Sequence, residues 1–250
     1  MSKLGTTAWA NRTNGDLSII DKILLLKQEV QRQINTQLRR IQQTEIAYVE
    51  AVDLDTIPLP DTTLARESQI YCKAVSPKSL FFHSLRTYYW GSILARQNNI
   101  KLDAELFYVM ALFHDIGLCD AHNNQDNCSQ CFAVEGGRSA RAFITDQGFP
   151  QKADHVEAAI IQHLNLDVPV ADGPEHHILP HATALDVVGA RIGEIKPSTL
   201  SAVIERYPRL DFKKDLINMF NREYENRPQS RIAFMQQVAN LNRLIQNAPF

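Results

Sequence analysis

Four residues of this 250-residue chain have the types and order that a divalent cation requires. His83 lies in FFHSLR, His114 and Asp115 are adjacent in MALFHDIGL, and Asp186 lies in TALDVVG. Neutral imidazoles and carboxylates are ligands of zinc, iron and manganese. Asp186 is flanked by Leu185, Val187 and Val188, and an isolated carboxylate buried among them would be very costly. A cation shared with the two histidines and Asp115 would supply the missing partner. Taken singly, each histidine reads as a hydrogen-bonded core residue and Asp115 as a helix-end residue. The order His, His-Asp, Asp, each on a predicted helix, singles the four out.

Other residues cluster around this set. Arg86 and Trp90 follow His83 by one and two helical turns on the same face and, with His181, are candidate substrate contacts. Glu135 precedes Gly136 and Gly137, which let backbone approach closely. It reads equally as a group orienting a water and as a first-turn acid favoured by the helix dipole. His176, His177 and His181 read as solvent-facing or capping residues, or as ligands of a second metal if they point inward. Cys119, His122, Cys128 and Cys131 have the spacing C-x2-H-x5-C-x2-C. They read as free thiols in a polar loop more readily than as a structural zinc site, and the loop is a candidate lid. Tyr88, Tyr89, Trp90, Phe132 and Phe143 are the aromatic supply for a small apolar pocket.

The elements that must position these residues have helical periodicity, with strand alternation nearly absent. From Leu17 to Val49, apolar residues at Ile23, Leu26, Val30, Ile34, Leu38 and Ile41 form one stripe. Asp16 or Ser18 is its N-cap. Residues 54–62, with two prolines, read as a linker. Ser76 as N-cap and Pro77 at the first position open the helix bearing His83. Asp103 opens the next, and Gly148 closes the helix that begins near Glu135. Two more helices follow, over PQKADHVEAAIIQHL and ATALDVVGARIG. Pro197, Asp211 and Pro228 mark the starts of three C-terminal ones. The fold class is all-α, with an N-terminal helical extension and linker over 1–60 and the main domain over 61–250.

Composition narrows the function. The chain is 44% apolar with a net charge of −2, so it lacks the basic excess that non-specific nucleic-acid binding needs. No apolar run approaches the roughly 20 residues that span a bilayer, and MSKLGTTAWANRTNG has no signal-peptide core, so the expectation is a cytoplasmic protein without membrane association. The N-terminal helix reads as packing either outside the main core or against a partner chain, the latter giving a homo-oligomer through that helix.

The order of ligands on a helical bundle resembles the HD-domain metal-dependent hydrolases. FHSLRTYYWG, ALFHDIGL, FAVEGGRSARAFITDQG, VEAAIIQHL and ALDVVG are similar to the successive motifs of the cyanamide hydratase family within them, over about residues 76–195. The resemblance implies a zinc enzyme, with iron or manganese as alternatives, that adds water to a small nitrile and converts cyanamide to urea. It implies His83, His114, Asp115 and Asp186 as ligands, and Asp115, Glu135 and His163 as candidate catalytic residues. Three other readings stay open: a nucleotide phosphohydrolase, a dinuclear iron oxygenase recruiting His163, His176, His177 or His181, and a metal-stabilised binding module.

Overall fold

Short polar side chains set the helix starts. Thr6, Thr62, Asp103 and Ser230 each accept a hydrogen bond from the backbone N–H three residues on, satisfying one of the N–H groups that a helix leaves open. Pro150, Pro174 and Pro197 occupy first helical positions, where no N–H is required. In a computed structural model, these signals open α1 (Thr7–Thr13), α3 (Thr63–Val75), α5 (Ala104–Phe113), α11 (Arg231–Ala239), α7 (Pro150–Gln162), α8 (Pro174–Val188) and α9 (Pro197–Arg206). The others are α2 (Ile19–Gln42), α4 (Lys78–Gln97), α6 (Phe132–Asp146), α10 (Phe212–Asn226) and α12 (Leu241–Gln246). The structure describes residues 3–42 (31–42 by backbone alone), 50–122, 130–166 and 168–250. Among these the chain is all-α, without a strand, and no helix is long and apolar enough to cross a membrane.

The core is built on α4 and α5. Helix α4 buries fifteen of its twenty residues, from Ser79 to Ala95, and packs against α8 and α5. Helices α6 and α7 form an extensively packed pair beside α5. The His-Asp turn at the end of α5 is held by backbone against backbone. A Cβ on Gly117 would lie 2.1 Å from the carbonyl oxygen of Phe132 and 2.9 Å from the nitrogen of Gly136. The two glycines therefore let the first turn of α6 press directly on the turn that carries His114 and Asp115.

Several elements differ from the sequence reading. Ser76 ends α3, its N–H bonded to the carbonyl of Cys72, and Pro77 takes the N-cap of α4 without a side-chain bond. The two helices follow so closely that Ser76 has no freedom to cap the second. The expected linker carries a 3₁₀ turn, Leu54–Thr56, with Leu54 and Ile57 buried. Helix α8 starts at Pro174 and includes the histidine-rich stretch, with Pro180 inside it. A fourth C-terminal helix, α12, follows α11.

The expected boundary at residue 60 is crossed by the first seventeen residues. Trp9 is fully buried, the guanidinium of Arg231 lies over its ring, and α1 packs on α7. Backbone bonds from Leu17 to Gln229 and from Cys131 to Asn14 stitch the segment down. Ser18 and Asp21 form a reciprocal cap on α2, with Asp21 N–H to Ser18 Oγ at 3.2 Å and Ser18 N–H to Asp21 Oδ2 at 3.0 Å. The expected continuation of α2 to Val49 lies outside the described residues.

The glycine contact makes a stability prediction. Gly117→Ala should lower the unfolding free energy by about 2–3 kcal/mol, because the added methyl meets backbone that cannot yield. Gly193→Ala, where a Cβ meets nothing within 4 Å, should stay close to wild type in the same urea titrations. Equal midpoints for the two variants would contradict the packing argument.

Candidate metal centre

His83, from the middle of α4, and His114 and Asp115, from the end of α5, meet in a buried triangle. His83 Nε2 lies 3.1 Å from His114 Nε2 and 3.4 Å from Asp115 Oδ2. His114 Nε2 lies 3.3 Å from the same oxygen. The other nitrogen of each ring is engaged: His83 Nδ1 is 2.7 Å from Asp186 Oδ2, and His114 Nδ1 is 2.8 Å from the Ala111 carbonyl oxygen. Both acceptors require the proton on Nδ1, so both Nε2 atoms present lone pairs to one another. Two lone pairs at 3.1 Å repel unless a proton or a cation lies between them. With a carboxylate completing the triangle, the donor set fits a divalent ion, with each imidazole oriented by an acceptor behind it. Among the described residues it is the only group of three His, Cys, Asp or Glu side chains close enough to share one.

Asp186 stands behind His83, outside this triangle. Arg86 Nε and Nη2 donate to its two oxygens at 2.8 Å each, and Trp90 Nε1 donates to Oδ1 at 2.8 Å. The expected face of α4 is real, and on it Arg86 and Trp90 both turn to Asp186, with Arg86 Nη1 donating in addition to the Tyr207 and Pro208 carbonyls. Arg209, in the connection between α9 and α10, donates to the Asp186 carbonyl at 3.0 Å and approaches Oδ1 at 3.3 Å. No local sequence signal marks Arg209. Burial alone would raise the Asp186 pKa, but Arg86 and His83 hold it well below the usual carboxylate range. Asp115 behaves alike: burial opposes ionisation, and His114, His163 and His83 overcome it.

His163, at the end of α7, faces the triangle from the far side of Asp115. Its Nε2 is 3.5 Å from Asp115 Oδ1, and its Nδ1 is 2.5 Å from the Ile160 carbonyl oxygen. Burial pushes its pKa below the usual histidine value, against the pull of Asp115. Glu135 is turned elsewhere. It accepts from Gln130 and, at 3.2 Å, from Ser139 Oγ. Ser139 leads on to His122 Nδ1 at 3.1 Å, and His122 Nε2 to Tyr71 Oη at 3.0 Å. Glu135 thus ends a polar chain behind the His-Asp turn.

The remaining histidines and cysteines stay apart from the triangle. His176 Nδ1 contacts Gln162 Oε1 at 2.8 Å, and His177 Nδ1 contacts the Val168 carbonyl at 2.6 Å. His181 packs edge-on to His177, about 140° around α8 from Asp186 by helix geometry. Cys119 Sγ is 3.5 Å from Ser76 Oγ, and burial pushes its pKa up to about 11. Cys131 packs against Gly15. Cys128, with the middle of the expected lid, lies outside the described residues, and Cys119, His122 and Cys131 do not gather into a site.

Residues 80–188 match the model of the HD domain. Two cyanamide hydratases of Saccharomyces cerevisiae, DDI2 and DDI3, are each 30% identical to the chain over 176 residues, covering 69% of it and 77% of the relative. The chain belongs to the HD-domain cyanamide hydratase family. As a member of that family it is a metal-dependent enzyme of the hydratase or hydrolase type, with a small molecule as its substrate. The matched segment runs from the start of α4 to the end of α8 and includes every residue of the triangle.

The Arg86–Asp186 pair makes a second prediction. Arg86→Met removes the two-bond cationic partner of a buried carboxylate, leaving Trp90, Arg209 and His83 to hold it. It should cost about 3 kcal/mol, the lower end for breaking a buried pair. Combined with Asp186→Asn, the loss should be well under the sum of the two single losses. Chemical denaturation in the presence of a chelator measures this cycle, and strict additivity would show that the two groups are not coupled.

Proposed function

We propose that the protein hydrates a small neutral nitrile, cyanamide to urea, with zinc held by His83 Nε2, His114 Nε2 and Asp115. The activity of the two yeast relatives, cyanamide hydratases, supports the reaction. The observation that carries the substrate class is electrostatic. Arg86 and Arg209, the cations that reach the site, are both bound to Asp186, whereas a nucleotide polyphosphate requires cationic partners. Lys78 and Lys101 are exposed, and Arg141 pairs with Asp154 at the surface. A dinuclear oxygenase would recruit His163, His176, His177 or His181 to a second metal; of these His163 lies beside Asp115, whereas His176 and His177 contact Gln162 and Val168.

A divalent ion at the triangle supplies a Lewis acid and lowers the pKa of a water beside it. Asp115 directs Oδ2 to the two imidazoles and Oδ1 to His163. His163 is neutral at pH 7, since burial depresses its pKa and its Nδ1–H is given to Ile160. Its Nε2 therefore accepts a proton, as a general base must. As the C–O bond forms, the nitrile π pair moves to nitrogen and the proton from water passes to His163 Nε2. His163 then returns it to the nitrile nitrogen, and tautomerisation gives urea with atoms and charge balanced. Asp186 keeps its role behind His83, fixing the ring and its tautomer.

The test is direct. Zinc-loaded protein incubated with cyanamide should form urea, lose activity on chelation and recover it with zinc, while a nucleotide panel releases little phosphate. His114→Ala should lose its metal by elemental analysis. His163→Ala should retain metal and lose about 10²–10⁴-fold in turnover. Robust phosphate release without urea would sink the nitrile reading.

A further inference from the structure

Helix α10 lies beyond the segment that matches the HD domain, yet it reaches the centre. Its buried face carries Phe212, Leu216, Met219, Phe220 and Glu223, and it packs on α4 and on the turn Ile116–Leu118 that follows Asp115. Phe212 stacks on the His83 ring, with centroids 4.6 Å apart and 22° between the planes. Phe220 packs at 6.1 Å on Phe132, whose ring meets His163 edge-on at 5.7 Å. The helix is pinned at both ends of this stretch. Asp215 accepts from Ser79 Oγ at the start of α4, and Glu223 accepts from the Phe132 N–H at 3.1 Å, at the start of α6.

Three of these residues form one row. Phe212, Leu216 and Phe220 are spaced i, i+4 and i+8, the ridge that runs obliquely along a helix surface. From Phe212 to Phe220 the helix rises about 12 Å. Across from it, the imidazole centroids step 5.0 Å from His83 to His114 and 5.3 Å from His114 to His163, so the two rows have similar lengths. Their ends correspond: Phe212 stands at His83, and Phe220 reaches His163 through Phe132. The middle of one row then lies over the middle of the other, which is His114 with Asp115 beside it. Leu216 is that middle residue, and it is fully buried.

From this geometry we infer that Leu216 is a specificity-determining residue of the centre: its side chain stands over the triangle and limits the group that a substrate carries beside its reacting carbon. The inference rests on the proposed nitrile hydration for what is limited, and on the two rows for where the limit lies. A leucine offers no donor or acceptor, so it selects by volume alone. Protein interiors are packed as densely as organic crystals, and a helix pinned at Ser79 and Phe132 has little freedom to retreat. The amino group of cyanamide is admitted beside the nitrile carbon, and an aryl group is excluded. The HD segment thus supplies the metal ligands, and α10 supplies the size limit.

A ligand series tests this on the full chain without relying on turnover. The protein is loaded with cobalt(II), whose visible absorption reports ligands arriving at the ion, and titrated with acetohydroxamate and with benzohydroxamate. Leu216→Ala should lower the ratio of the benzohydroxamate to the acetohydroxamate dissociation constant at least about 10-fold, the scale on which apolar bulk in a pocket discriminates. Leu216→Val, a milder truncation should the alanine variant fail to fold, should lower it less and in the same direction. Leu64→Ala shortens an equally buried leucine seven residues before Tyr71, the α3 residue stacked on Phe113, and should leave the ratio as in the wild type. Urea formation from cyanamide is assayed separately, so a shifted ratio without urea would reject the nitrile reading and keep Leu216 as the size limit. An unchanged ratio in folded, cobalt-loaded Leu216 variants, or an equal fall in Leu64→Ala, would overturn the inference.

Discussion

The arrangement depends on one buried carboxylate. Asp186 is fully buried, and removing it from water is tolerable only because every direction around it is occupied by a donor. Arg86 and Trp90 reach it from α4, Arg209 from the connection after α9, and His83 presents its ring N–H. One anion thereby ties α4 to α8 and fixes the imidazole that faces the other way, into the triangle. The opposite side is fixed by different means. There, two glycines bring the backbone of α6 against the His-Asp turn, and no side chain intervenes. The centre is rigid because a charge network holds one side and steric fit holds the other.

The sequence made the triangle legible because adjacency and order do not depend on tertiary detail. His114 and Asp115 close a strongly apolar helix, and His83 interrupts another. The requirement that Asp186 find a cationic partner was also legible, from its apolar neighbours. Which cation it finds was not. Arg86 and a metal ion are equivalent answers to the same electrostatic requirement, and only three-dimensional distance separates them. Arg209 sits in an irregular connection with no periodicity to reveal it. His163 required the family motif to stand out, because a histidine at the end of an apolar helix is ordinary by itself.

The misread elements share a physical reason. Helix α1 has seven residues and buries Trp9 and Ala10, too short a run for a 3.6-residue repeat to show. Helix α3 buries Leu64, Ala65, Ser68 and Cys72, of which only Leu64 is a large apolar residue, so the face carries little hydrophobic signal although it recurs at helical spacing. Pro180 within α8 reads as a break, yet the preceding turn is buried against α4 and tertiary packing outweighs the lost hydrogen bond. In each case packing supplied what local propensity lacked.

The N-terminal segment is tied into the enzyme core. Asp21 Oδ2 accepts from Ser18 N–H, from Ser18 Oγ and from Trp9 Nε1, and Trp9 lies under Arg231. The first turn of α2 is thus tied to the domain, so the domain sets the direction in which the helix leaves. The side chains of the triangle, His83, His114 and Asp115, come from α4 and the end of α5. The N-terminal segment therefore bears on the centre through packing, by way of α1 against α7, the helix that ends at His163.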